Sequence, residues 1–261
     1  MEQKIRLLGY FFLIVFSLVQ FSCGYTFGQD VFLVKDIIDG DTIRIENGEL
    51  VRYLGIDTPE LHTKKEGKWY PRADPFAEEA KDYNFTLLNN KEVRLEYDTV
   101  QRDKYNRLLA YVYIDGERMV NAEIVRQGYA TVSFEPPNLK YMASFVQMQK
   151  EAKENNRALW ASANARIISP QEAKNYFGKF KTVEGKISNV YEDKKIVILE
   201  VEESDLKVII LKTNLELFQK EGTSSVKDYT GKRVRVSGLI KKYKQQPEIV
   251  VHHPSLLEIV E

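Results

Sequence analysis

Three short runs rich in β-branched residues stand close together early in the chain: VFLVKDI at 31–37, TIRIE at 42–46 and LVRYL at 50–54. Between them lie Asp39-Gly40 and Asn47-Gly48, the residue pairs that supply the positive backbone angles of tight hairpin turns. Strands this short cannot bury a face alone, so they must meander into a small sheet or barrel. Further strands are predicted over 92–98 and 108–114. Phe76, Ala80, Tyr83 and Leu87 recur at helical spacing and predict a helix from Pro75 to Asn89, with Asp74 as its N-cap. Met119 to Gln127, stopped by Gly128, reads as a second helix. Residues 139–154 read as a third, with Met142, Phe145, Met148 and Ala152 on one face. The polar stretch 61–74, rich in Lys, Gly and Pro, is expected to be a loop. The first domain, over 29–161, is thus predicted to be mainly β with α: an OB-like five-stranded barrel carrying three helices.

The periodicity fades over 162–180, where Pro170 appears, and a linker is expected there. Strands return at 183–190, 195–202, 206–211, 232–241 and 247–251, with a helical interlude near 214–220. Five strands with a helix between the third and fourth is the order of an OB fold, so 181–261 is predicted to be a second, OB-like β-barrel domain. From Lys232 to Lys244 the chain holds Lys232, Arg233, Arg235, Lys241, Lys242 and Lys244, with Tyr243 among them and no acid. That composition suits a groove for single-stranded nucleic acid, and equally a solvated hairpin whose lysines prevent edge-to-edge pairing.

The 38 basic and 38 acidic residues cancel over the whole chain, which excludes a uniformly basic coat. The two parts differ: 166–261 holds 17 basic and 14 acidic residues, and 29–165 holds 19 and 23. A single cysteine excludes an intramolecular disulfide, a four-cysteine zinc site and a CxxC redox pair. Lys4 and Arg6 precede an uncharged apolar run from Leu7 to Val19, shorter than the roughly 20 residues that span a bilayer. This reads as an export segment over 1–28, predicting a secreted, periplasmic or cell-envelope protein. Cys23, with Ser22 before it, stands where a bacterial lipoprotein carries its lipid, so cleavage and membrane attachment through Cys23 are both open readings.

Four carboxylates fall on strand ends and adjoining turns of the first domain: Asp39, Asp41, Asp57 and Glu60. Such a cluster is costly unless a cation neutralises it, and oxygen ligands without His or Cys select Ca²⁺ or Mg²⁺ over Zn²⁺. Arg52 and Arg107 lie in strand context, and guanidinium groups grip phosphate in a two-toothed fork. A metal, two arginines and one spare carboxylate are the parts that phosphodiester hydrolysis needs.

The segments IDGDT (38–42), VRYLGIDTPE (51–60), DKYNRLLAYVY (103–113) and VNAEIVRQGYA (120–130), in this order, resemble the staphylococcal-nuclease-like family, the thermonucleases. The resemblance covers about half of the chain, 31–161. It implies that Asp41, Asp57 and the backbone carbonyl of Thr58 ligate Ca²⁺, with Asp39 reaching the ion mainly through water. It implies Glu60 as the general base, Arg52 and Arg107 as arginines facing the transition state, and Lys104 and Tyr105 as contacts to nucleotide phosphate. It further implies hydrolysis of DNA and RNA by in-line attack of water, a preference for unpaired strands, and products ending in 3′-phosphate. The alternative is a non-catalytic nucleic-acid-binding envelope lipoprotein. Such modules arise when these acids and arginines are lost, and none is missing here.

Other residues carry expectations of their own. Asn106 stands where the family motif has Gly, and Asn tolerates left-handed backbone angles. Phe134 is a candidate for stacking on a base. Trp69 and Tyr70, near Lys64, Lys65, Lys68 and Arg72, are candidates for the same role or for a partly buried anchor. His62 reads as a solvated loop residue, and His252 and His253 as strand-end residues without acidic partners. The acidic balance of 29–165 implies weak long-range capture of polyanions by the first domain alone.

Overall fold

A computed structural model describes the backbone of residues 31–65, 68–71, 74–221 and 224–260. The predicted export segment and Cys23 lie outside these residues. Ten strands belong to the first half: β1 Val31–Ile37, β2 Thr42–Ile45, β3 Leu50–Tyr53, β4 Gly55–Asp57, β5 His62–Lys65, β6 Lys68–Pro71, β7 Glu92–Glu96, β8 Leu108–Ile114, β9 Arg118–Met119 and β10 Thr131–Ser133. Its helices are α1 Ala77–Leu88, α2 Val120–Arg126, α3 Met142–Glu154 and α4 Leu159–Asn164.

Strands β1 to β3 meander as their turns dictate, β7 pairs with β1, and β8 pairs with β7. A parallel pairing of β3 with β8 then closes five strands into a barrel. Nearly every residue of β8 is buried, because one face fills the barrel and the other lies under the helices. Inside sit Ile43, Ile45, Val51, Val93, Leu95 and Val112.

The turn between β1 and β2 is locked onto α1. A Cβ on Gly40 would come within 2.8 Å of the Ala80 Cβ, so only glycine admits this approach. Beside it, buried Asn84 donates to the Asp39 carbonyl at 3.0 Å and accepts from the Tyr53 hydroxyl at 3.0 Å. The helix that carries Asn84 starts later than the sequence predicts. Phe76 adopts a left-handed φ of 68°, so Asp74-Pro75-Phe76 forms a turn and the helix begins at Ala77. The stretch expected to be a loop at 61–74 contains the antiparallel hairpin β5–β6. The side chains of Trp69 and Tyr70 lie outside the described part.

The second half contains β11 Phe180–Glu192, β12 Ile196–Val201, β13 Lys207–Leu211, α5 Leu215–Glu221, β14 Arg233–Leu239, β15 Lys241–Tyr243, β16 Gln246–Val251 and β17 Leu257–Val260. These strands form one sheet in the order β15-β16-β13-β12-β11-β14-β17. Its connectivity repeats that of the first barrel. A three-strand meander comes first, its third strand pairs in parallel with a late one, β13 with β16, and its first pairs antiparallel with the strand after the helix, β11 with β14. The second domain is therefore OB-like, as predicted, with β15 and β17 in addition to the five expected strands. Between the halves, the segment expected as a linker carries a 3₁₀ helix, Pro170–Tyr176, with a capping box between Ser169 and Glu172 and buried Ala173.

The two halves pack as one compact unit from Val31 onward. Leu217 of α5 joins the first core, while Ala152, Leu159, Trp160 and Ala163 join the second. The Asn214 side-chain amide donates to the carbonyls of Phe134 at 2.7 Å and His252 at 2.8 Å. Gln149 accepts from the Val132 backbone and donates to the Ser255 hydroxyl, both at 2.8 Å. No helix among the described residues is long and apolar enough to cross a membrane.

Candidate active site

The sequence places Asp39 and Asp41 in a tight turn, and the fold brings the β3–β4 corner against it. Thr42 on β2 pairs with Arg52 on β3, so Arg52 emerges directly beside Asp41. Asp39 turns its carboxylate back to accept from the Asp41 backbone amide at 3.0 Å. Asp41 is wholly buried, and each of its oxygens is engaged. One accepts from the Thr58 amide and hydroxyl, both at 2.9 Å. The other accepts from the Thr42 hydroxyl at 3.2 Å and pairs with the Arg52 guanidinium. The second amino group of Arg52 reaches Asp57 at 2.7 Å. Asp41 and Asp57 thus aim at one cationic group from opposite sides.

Arg107 is set by a compact loop. Asp103 accepts from the backbone amides of Tyr105 at 2.9 Å and Arg107 at 3.0 Å, and from Arg107 Nε at 2.7 Å. Asn106 takes a φ of 66°, the left-handed angle expected of it in this turn. The Asp103–Arg107 ion pair thus exists, and it also holds the guanidinium in place. Arg107, Arg52, Asp39, Glu60, Tyr105 and His62 line one cleft of about 750 Å³. Lys104 and Tyr105, both exposed, border an adjoining hollow of about 520 Å³ that also reaches Arg52 and Arg107. His62 is exposed, as expected.

The electrostatics follow from this crowding. Loss of water raises the Asp39 carboxyl above its ordinary value, although Arg52 and a Thr42 hydrogen bond oppose the shift. Loss of water also pushes Glu60 up to about 7, with the negative charges of Asp57 and Asp39 adding to it. Asp57 behaves oppositely: burial raises its carboxyl, but Arg52, then His252 and Lys241, outweigh that and hold it below the ordinary value.

The last two residues come from the second barrel and were not expected here. Lys241 and His252 line a small cavity of about 70 Å³ together with Asp57, Thr58, Pro59 and Glu60. His252 is therefore more than a strand-end residue: it faces the charge of Asp57. The signal was absent because nothing local in the sequence ties these positions to the Asp57 turn. Phe134 departs from expectation in another way. Its ring is 1% exposed and packs on Phe145 at 5.5 Å between centroids, so it belongs to the core and stacks on no base.

Among the described residues, no three His, Cys, Asp or Glu side chains gather as a ready metal-holding group. Asp41 and Asp57 contact the Arg52 guanidinium directly, while Asp39 and Glu60 line the cleft beside it. Their donor set still fits a hard divalent cation, since it consists of oxygens and two carboxylates already point at a single positive centre.

An OB-connected barrel with paired guanidinium groups and carboxylates in one cleft defines a phosphate-handling protein of the nuclease class. Residues 50–162 match the model of the family described as staphylococcal nuclease homologue. The thermonuclease of Staphylococcus intermedius is 42% identical over 132 residues, covering 49% of this chain and 75% of that protein. The thermonuclease of Staphylococcus hyicus is 36% identical over 137 residues, covering 51% and 78%. The endonuclease YncB of Bacillus subtilis is 42% identical over 131 residues, covering 48% and 59%. The chain belongs to the staphylococcal nuclease family.

Proposed function

We propose that this protein is an exported, calcium-dependent nuclease that hydrolyses phosphodiester bonds of DNA and RNA, prefers unpaired strands and leaves 3′-phosphate ends. The single observation that carries this reading is the cleft in which Arg52, Arg107, Asp39 and Glu60 meet. The family supports nuclease chemistry, and the retained acids and arginines argue against a binding module that has lost it.

Arg107, held through its Nε by Asp103, presents its terminal amino groups to phosphate oxygens. The amino groups of Arg52 rest on Asp41 and Asp57, and would turn to the phosphate once those carboxylates are taken up by a cation. Both arginines then stabilise the charge that builds on the pentacoordinate phosphorus. Glu60 accepts the proton of the attacking water, the water oxygen bonds to phosphorus, and the bond to the 5′ oxygen breaks in line. The 5′ oxygen leaves and takes a proton from solvent. Asp41, Asp57 and the Thr58 carbonyl are the residues that would hold the calcium ion, with Asp39 beside them. When bound, the ion supplies positive charge to the phosphate oxygens. Lys104 and Tyr105 hold the neighbouring phosphate. Export follows from residues 1–28, with either cleavage or lipidation at Cys23.

Incubation of the protein with single-stranded DNA and calcium is expected to give cleavage that EDTA abolishes. Glu60→Gln is expected to slow it by about two to four powers of ten. Absence of cleavage across divalent metals and pH overturns the reading.

A further inference from the structure

The seam side of the cleft carries two carboxylates of the first barrel. Asp57 and Glu60 form part of the small cavity at the seam, and Asp57, ionised beside Arg52, adds negative charge on that side. The charges that answer them from across the seam are those of Lys241, at the start of β15, and His252, just after β16. Lys241 is exposed. It enters no ion pair among the described residues, although its cross-strand neighbour Glu248 feels its charge. Lys242 and Lys244 likewise pair with no carboxylate among the described residues. The six-residue basic run of the sequence therefore divides. Arg233 and Arg235 are spent on Glu184, at 3.3 Å and 2.8 Å, and the lysines of the β15–β16 hairpin remain available.

Alternation along a strand gives that availability a direction. Lys241 and Tyr243 project from the same face of β15, and Lys242 from the other, where its ammonium lies 5.5 Å above the Phe177 ring. Tyr243 is 57% exposed, with the Lys244 ammonium 5.4 Å from its ring centroid, so a cation already sits beside the ring. A cation beside the catalytic carboxylates, followed along one face by an exposed aromatic ring with a second lysine at its side, has the order phosphate contact, then base contact. Base stacking requires an unpaired base, because both faces are covered in a duplex.

We propose that the second barrel extends the catalytic cleft with a subsite for single-stranded polynucleotide: Lys241 takes the phosphate adjacent to the scissile one, and Tyr243 stacks on the next base. This subsite rests on the nuclease reading for its orientation, but its binding can be measured without hydrolysis. It gives the second barrel a direct part in substrate handling, and it compensates for the acidic balance of the first.

The test is a fluorescence-anisotropy titration of a fluorescein-labelled oligothymidylate about twelve nucleotides long, in EDTA and over a range of salt concentrations. Lys241→Ala is expected to weaken binding about tenfold and to reduce the salt slope by about 0.7, the loss of one neutralised phosphate on a single strand. Tyr243→Ala is expected to weaken binding about tenfold, with the same loss when wild-type protein meets an abasic strand. Lys241→Arg keeps the charge and is expected to stay within about twofold of wild type. Lys150→Ala, which removes an exposed ammonium from α3, is the control and is expected to bind as wild type does. Wild-type affinity in both the Lys241→Ala and Tyr243→Ala variants overturns the proposal, as does an equal loss from Lys150→Ala. If the wild-type protein fails to cleave with calcium, the nuclease reading falls, while the EDTA titration still decides the subsite.

Discussion

Asp41 is a carboxylate with no exposed surface, and such a charge is tolerable only while neighbours answer it. Thr58, Thr42 and Arg52 do so. Removing Arg52 strands the charge, so Arg52→Ala is expected to lose about 3–5 kcal/mol of stability in EDTA, read from urea midpoints. Added calcium is expected to recover much of the loss, while catalysis stays depressed by several powers of ten because the fork is gone. A variant equally stable with and without calcium would count against Asp41 as a metal ligand. The residues of this cluster were legible early. IDGDT and VRYLGIDTPE put acids and an arginine on short adjacent strands, where a turn must bring them together. What the sequence could not reveal is that Asp41 and Asp57 are bridged by Arg52, since donor direction depends on strand register.

At the scale of elements, β-branched runs with Asn-Gly and Asp-Gly turns predicted the meander, and it formed because each strand has one apolar face to bury. The β5–β6 hairpin escaped notice because its residues (HTKK and KWYP) carry little of that signature. The start of α1 was misplaced because Pro75 suits a first helical turn as well as it suits the tight turn that Phe76 completes with its left-handed angle. Phe134 is a base-stacking candidate only by its place in the resemblance, in the segment SFEPP, and nothing local in that segment marks the ring as buried. Its burial follows from Gly55, where a Cβ would sit 2.6 Å from the Phe134 ring: the ring occupies space that glycine vacates on β4. Phe134→Ala is therefore expected to cost about 3–5 kcal/mol in stability, with KM for single-stranded DNA little changed. A raised KM at unchanged stability would restore the base-stacking role.

Across the whole molecule, one titratable group is fully buried in the second barrel, beside the Ser255 that bonds Gln149 of the first half. His253 is fully buried, its Nδ1 accepts from the Ser255 amide at 3.1 Å, and burial lowers its pKa to about 4. An unfolded chain binds a proton on this ring near its ordinary value of about 6.5, and the folded one does not. Stability is therefore expected to fall as pH drops from about 6.5 to about 4, by up to about 3 kcal/mol, and to be fully present above that window. Urea titrations across pH are expected to show this slope and its loss in His253→Asn, which keeps an acceptor for Ser255. An unchanged slope in the variant would assign the acid sensitivity to other groups. The setting of Lys241 and His252 was not visible in the sequence, because both face residues contributed by the other half of the chain, and the burial of His253 depends on packing that no local pattern records.

The exchange of Leu217 for Trp160 and Leu159 between the two cores has a consequence for engineering. Domains that share only a tether can be shuffled among genes like beads. Here each half keeps part of its interior in the other's sequence, so the pair must be redesigned as a matched set. A grafted substitute for the second barrel would have to reproduce a neighbour's hydrophobic fillings before its own function could matter.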